Sequence, residues 1–325
     1  LTPTAYNNGE ALCIKPDDGS GDFDFSRNSA ATRVNAQGLV ENVQILSGNL
    51  VQNGDFSELG SEEVSNGSFS QEGVELITNG NFDTDSDWGK SGNVTIGNGK
   101  ANFDIVSGAF TRISQNISLV NGKTYKVDLQ VTTEDSGKQI FVRDTSSGDL
   151  GSLQQLIILE DGITDYTYYF TANSNSNAIY IKRQTASGDY QFSIDNVSVK
   201  EVAQDWELGG EATIGENKLI LSGDASTSAY VIQNNVFSSG KTYKCVFDVT
   251  INSGLGIKFQ DGLAYNPHNQ NIGLATTSGI YTIYFTSTTY NQLVISRDNG
   301  AQAYDSSITN ISVKEVDPND YWNLD

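Results

Sequence analysis

Apolar and polar residues alternate with a period of two over much of this chain. Val127, Leu129 and Val131 point one way, and Lys126, Asp128 and Gln130 the other. Ile140 and Val142 oppose Phe141 and Arg143; Tyr166, Tyr168 and Phe170 oppose Thr167 and Tyr169; Ile179 and Ile181 oppose Tyr180 and Lys182. Cys245, Phe247 and Val249, and then Tyr281, Ile283 and Phe285, continue the pattern. Successive strand side chains face opposite ways, so each segment predicts a strand with one face on a core. Turn residues break the pattern about every eight to twelve positions, the rhythm of antiparallel strands. The expected fold class is all-β: antiparallel strands in two stacked sheets, a β-sandwich of jelly-roll type.

The strands come in two similar sets. Asp87–Thr132 lies on Asp205–Thr250, 118 positions on, without a gap and with sixteen of 46 positions identical. The longest shared run is Gly122-Lys-Thr-Tyr-Lys126 against Gly240-Lys-Thr-Tyr-Lys244, and the sets close alike on Asn196–Val202 and Asn310–Val316. A period of about 115 residues is too long for a solenoid unit and suits a whole small domain. The expected organisation is an extended N-terminal docking segment (1–50), a linker (51–74), a first jelly-roll (75–202), a second (203–316) and a C-terminal tail (317–325). Within 51–82 a short pattern recurs as Asn53-Gly-Asp-Phe56, Asn66-Gly-Ser-Phe69 and Asn79-Gly-Asn-Phe82. It reads either as a linker that happens to repeat or as starts of domains whose remainder is missing. Its Asn-Gly pairs predict turns with positive φ.

Composition narrows the function. The formal net charge is −21, a surface that repels phosphate backbones and anionic lipid, so neither nucleic acid nor membrane insertion is expected. No apolar run approaches the roughly 18 residues that span a bilayer. The two cysteines, Cys13 and Cys245, form no disulfide framework; Cys245 takes the place of Val127 and predicts a buried thiol. Met is absent, even at position 1, which suggests processing or a later start of numbering. One histidine, His268, argues against histidine-based catalysis, and no nucleophile elbow, phosphate loop or zinc pattern is present. The chain is not expected to be an enzyme.

Two stretches resemble known families. Gly21-Asp-Phe-Asp-Phe-Ser-Arg27 through Thr32-Arg-Val-Asn35 to Gly38-Leu-Val-Glu41 resembles a segment of structural proteins of tailed bacteriophages, where it often precedes carbohydrate-binding-like domains. In each repeat, a Trp (Trp88, Trp206), Gly-Lys-Thr-Tyr, a Tyr-Thr-x-x-Phe-Thr strand (Tyr166–Thr171) or its counterpart Tyr281–Thr286, and a terminal Ile194–Val199 or Ile308–Val313 resemble the jelly-roll carbohydrate-binding modules of families 4, 9 and 22. The second repeat lacks the Asn-Gly-x-Phe-Asp start and has Thr309 where the first has Asp195. The tryptophans are expected to pack in the core or at its edge.

The second resemblance implies a structural calcium ion in the first jelly-roll, held by Asp83 and Asp195 with Asn81 as carbonyl donor. It also implies a sugar site built from flat aromatic faces and planar polar groups opposite the core. The candidates are Phe141, Arg143, Tyr169, Tyr180 and Lys182 in the first repeat. Lys258, Gln260, Tyr284 and Arg297 are the candidates in the second. The first resemblance implies a virion appendage, a tail or head fibre or decoration protein, on the particle and outside a cell. Other virion proteins, copies of itself and cell-surface glycan are its expected partners, with host attachment as its task. The rival readings are a purely structural virion or filament protein and a secreted bacterial adhesin.

Overall fold

The computed structural model describes residues 6–7, 10–11, 32–34, 36–42, 51–55, 57–146, 150–184, 188–262, 271–298 and 302–319. The chain divides into two compact units, Leu1–Gly54 and Asp55–Asp325. In the first, Tyr6–Asn7 pairs with Glu10–Ala11, and Thr32–Val34 pairs with Val40–Asn42 around the turn at Gly38. Cys13, His268 and the Gly21–Ala31 half of the phage-like segment lie outside the described residues.

The second unit is all-β, with no helix among the described residues, and holds two sandwiches. In the first sandwich, the back sheet runs in the order Gly162–Thr171, Thr124–Thr133, Tyr190–Val202, Lys100–Ile105, Val94–Gly97. Its front sheet runs Gln154–Ile158, Gln139–Arg143, Ala178–Arg183, Arg112–Asn116, Gly89–Ser91. In the second sandwich, the front sheet runs Glu207–Gly210, Ala229–Gln233, Leu293–Arg297, Ile257–Gln260, Asn271–Ala275. Its back sheet runs Ala212–Gly215, Lys218–Gly223, Tyr304–Val316, Thr242–Ser253, Gly279–Thr286. All these pairings are antiparallel. The residues expected to face inward do so: Val127, Leu129, Val131, Ile140, Val142, Ile179 and Ile181 share one core, and Cys245, Phe247 and Val249 the other. Burial pushes the Cys245 thiol up to about 12, so it stays protonated.

The shared Gly-Lys-Thr-Tyr-Lys run does the same work in both sandwiches. Gly122 and Gly240 turn with φ of 84° and 80°, and their N–H groups donate to Ala172 and Ser287. The lysine pairs with the last strand (Lys123–Glu201, Lys241–Glu315). The threonines join hydroxyl to hydroxyl across the sheet, Thr124 with Thr171 and Thr242 with Thr286. The tyrosine ring is buried while its hydroxyl accepts the N–H of Val120 or Ser238, satisfying a polar tip inside the fold.

Residues 59–69, inside the segment expected as a linker, pair and pack with the second sandwich. Leu59–Glu62 adds to the last strand of the second sandwich, and Val64 and Phe69 enter the second core. The start that the second repeat was expected to lack is therefore present, 140 residues ahead of Trp206. Phe69 meets Trp206 with ring centroids 5.2 Å apart at 37°, and Phe82 meets Trp88 with the same values. Trp206 Nε1–H donates to Asn66 O at 3.2 Å, and Trp88 Nε1–H to Asn79 O at 3.0 Å. Gln233 clasps the backbone of Ser65 as Gln115 clasps Thr78, donating and accepting. Glu62 accepts from Val313 N and Ser312 Oγ, as Glu75 does from Val199 N and Ser198 Oγ. The first sandwich is thus inserted into the second, between its first strand and the rest.

The two motifs share a local cause. Asn66 and Asn79, rather than the glycines, take the positive φ, at 49° and 54°. The glycine is needed for close approach: a Cβ on Gly67 would lie 2.1 Å from Ile311 O, and one on Gly80 2.0 Å from Val197 O. Both tryptophans are buried, as expected of packing residues.

Candidate functional site

The front sheet of the first sandwich turns a mixed aromatic and cationic face to solvent. Strand register sets its rows. Phe141 pairs with Lys182, which pairs with Arg112; one step along, Arg143 pairs with Tyr180, which pairs with Ser114. Leu156 and Gln154 extend the two rows on one side and Ser91 and Gly89 on the other. Rings and cations alternate along the two central strands, Phe141 with Arg143 and Tyr180 with Lys182, while across the first row Lys182 and Arg112 stand side by side. The Arg143 guanidinium lies 4.2 Å from the Phe141 ring centroid, and that of Arg112 lies 5.3 Å from Tyr180 and 5.2 Å from Phe110. Such stacking holds the cations in place and leaves the guanidinium edges free to donate.

No outward position on these five strands is acidic. Arg112, Arg143 and Lys182 make no ion pair among the described residues. Arg143 Nε is buried without a hydrogen-bond partner. Burial, and then the charges of Arg143 and Arg112, hold the Lys182 ammonium below the ordinary lysine value.

Four of the nine candidate sugar-binding residues thus meet on one face: Phe141, Arg143, Tyr180 and Lys182. The other five do not join them. Tyr169 sits on the back sheet and packs against the second core, beside Gly215. It joins the two sandwiches. Tyr284 has the equivalent register position in the second back sheet and is 60% exposed. Arg297 shares the inward phase of Ile295; its guanidinium lies 4.6 Å from the buried Tyr304 ring and donates to Ala225 O. Arg183 occupies the matching place in the first sandwich, paired with Ile140 as Arg297 is with Ile257, so this arginine belongs to the sandwich edge. Lys258 is outward but paired with Asp298 at 2.5 Å, and Gln260 is buried.

Arg112 and Phe110 were missed. Arg112 alternates with Ile113 in a strand of only five residues, beside a turn, where the period-two signal is short.

Of the calcium candidates, Asn81 Nδ2–H donates to Asp83 Oδ2 at 2.6 Å, and Asp195 Oδ1 accepts the N–H of Asn196 at 2.7 Å. The counterparts in the second sandwich are Ser68 and Ser70, also bonded to one another, and Thr309. Among the described residues no three His, Cys, Asp or Glu side chains cluster as metal ligands.

An open depression of about 970 Å³ lies on the first back sheet, lined in part by Asp104, Glu134 and Asp135. Its aromatic walls, Phe103 and Phe192, are core residues stacked at 4.3 Å, so it offers no exposed ring.

No protein-family model and no curated protein matches the chain. Among solved structures, the N-terminal CBM22-1-CBM22-2 tandem domain from Paenibacillus barcinonensis Xyn10C aligns at 10% identity, over 76% of this chain and 99% of that one, with a TM-score of 0.33. A CBM4 structure aligns at 16% identity over 35% and 94%, TM-score 0.31. The enzymatically active domain of bacteriophage CBA120 tailspike protein 4 aligns at 14% over 39% and 21%, TM-score 0.31.

Proposed function

We propose that this chain is a carbohydrate-binding appendage protein that works by adhesion rather than catalysis. One observation carries the reading: two rings, Phe141 and Tyr180, stand among three cations on the front sheet of the first sandwich. Phe141 and Tyr180 offer flat apolar faces for pyranose C–H surfaces, and the interleaved cations offer donors for sugar oxygens. The side chains stand on a five-stranded sheet, which positions them better than a loop would. A single shallow site binds weakly, and display in many copies would raise its avidity.

The setting we favour is the surface of a bacteriophage particle, outside a cell, with other virion proteins and further copies of the chain as partners. The support for that setting is the resemblance of Gly21–Glu41 to tailed-phage structural proteins. A secreted bacterial adhesin would use the same face in the same way.

Glycan-array binding of the whole chain tests the adhesive part. Phe141→Ala with Tyr180→Ala should abolish binding without unfolding the protein. An array on which the intact protein binds nothing leaves a purely structural protein. Mass spectrometry of purified particles tests the setting.

A further inference from the structure

Resting on that reading, we infer that the first sandwich selects an acidic glycan, one bearing carboxylate or sulfate groups, through Arg112, Arg143 and Lys182. The chain has 40 acidic and 19 basic residues, yet this face gathers three cations and excludes every carboxylate from its outward positions. The back sheet of the same sandwich shows the contrast, with Asp104, Asp128 and Asp165 in outward places. Elsewhere the described lysines are commonly matched: Lys90 with Asp85, Lys126 and Lys200 with Glu72, Lys258 with Asp298.

Three like charges side by side repel one another, and their partial burial removes the water that would screen them. The lowered proton affinity of Lys182 reports that cost. An anion set among the three would relieve it. Arg143 and Arg112 are stacked on rings, so their planar N–H edges are already oriented, and a guanidinium edge matches a carboxylate or sulfate with two parallel hydrogen bonds. Tyr180 and Phe141, one row apart, then supply the stacking surface that distinguishes a sugar from any other anion. The second sandwich lacks this set: Tyr230, Lys258, Gln260, Val294 and Ser296 occupy the corresponding places.

The test is calorimetric titration of the full chain with polygalacturonate, its fully methyl-esterified neutral form, dextran sulfate, dextran and polyglutamate. The expected result is binding to polygalacturonate or dextran sulfate at least tenfold tighter than to the uncharged partner of the same backbone, weakening as NaCl rises. Which acidic polymer binds better separates carboxylate from sulfate. Lys182→Gln and Arg143→Gln should each weaken acidic binding about tenfold, with the melting temperature unchanged. Lys258→Gln should leave binding as it was.

Equal binding of charged and neutral partners would overturn the acidic selection and leave glycan binding standing. Equal binding of polyglutamate would show charge without sugar and overturn it as well. No binding to any polysaccharide would overturn both.

Discussion

The two sandwiches agree in their scaffold and part company at their surfaces. The tryptophan on its phenylalanine, the glutamine clasp, the glutamate under the last strand and the Gly-Lys-Thr-Tyr-Lys run are present in both with nearly the same geometry. The front faces share almost nothing. Arg112, Phe141, Arg143, Tyr180 and Lys182 in the first stand against Tyr230, Lys258, Gln260, Val294 and Ser296 in the second. In a tandem chain, identity between repeats therefore locates what holds the fold, and divergence on an exposed face locates where the copies have taken different work.

The comparison breaks most sharply at the paired motifs. Phe69→Ala should destabilise the second sandwich and Phe82→Ala the first, each by about 3–5 kcal/mol, because each empties a closely packed site under a tryptophan. Hydrogen exchange read peptide by peptide would show which sandwich loses protection. Deleting 59–70 should have a larger effect of the same kind on the second sandwich, and 203–316 expressed alone should not fold stably. A Phe69→Ala protein that opens its first sandwich instead would refute the nested arrangement.

Next in size is the joint between the sandwiches. Tyr169→Ala should cost about 2 kcal/mol, since the ring packs on a neighbouring core. Tyr284→Ala, at the same register position but 60% exposed, should shift stability by less than about 0.5 kcal/mol. Neither should alter glycan binding. Equal effects on melting would mean that Tyr169 is not covered.

These cases mark what alternation along the chain could tell. Period two assigns a side chain to one side of its own sheet, and that held for Val127 through Ile181 because local geometry decides it. It does not say what covers the outer side, so Tyr169 and Tyr284 read alike. Arg297 carried a usable signal, since it follows Leu293 and Ile295 in phase and was inward by parity alone. The nesting was hidden for another reason. Phe69 and Trp206 are joined by a contact 137 residues long, and no local pattern distinguishes a motif that serves the next domain from one that serves the domain after it. Of the front-face cations, Arg143 and Lys182 were legible one by one and Arg112 was not; that the three stand in adjacent rows without a carboxylate depends on strand pairing between segments far apart in sequence.

A smaller contrast concerns calcium. If Asn81, Asp83 and Asp195 hold the ion that family resemblance implies, chelation should destabilise the first sandwich only, because Ser68, Ser70 and Thr309 stand in their places in the second. With free calcium at ten times its Kd, the loss would be about 1.4 kcal/mol. Asp195→Asn should remove the response. Equal sensitivity of the two sandwiches to chelator, followed by hydrogen exchange, would move the site elsewhere, and insensitivity of both would leave these residues as ordinary turn carboxylates.

The smallest difference is one of pH. Glu72 bridges Lys200 and Lys126 on the first back sheet, at 2.9 Å each. The hydrogen bond from Lys200, then that from Lys126, lowers the Glu72 carboxyl below its ordinary value. Burial pushes Lys126 the other way, but its bonds to Glu72 and Asp128 outweigh that and raise it. In the second sandwich Lys244 and Lys314 occupy the matching positions, Leu59 stands where Glu72 would, and neither lysine has an ion pair among the described residues. A carboxyl whose folded value lies below its unfolded one stabilises the fold above the unfolded value, near 4.3, and loses that contribution as pH falls through the lowered folded value. Acidification through that window should therefore loosen the first sandwich relative to the second. The groups are partly exposed and screened by solvent, so the effect should be about 0.5 kcal/mol. Glu72→Gln should erase the difference while leaving neutral-pH binding on the opposite sheet intact. An unchanged pH response in that variant would assign the acid sensitivity to other carboxylates.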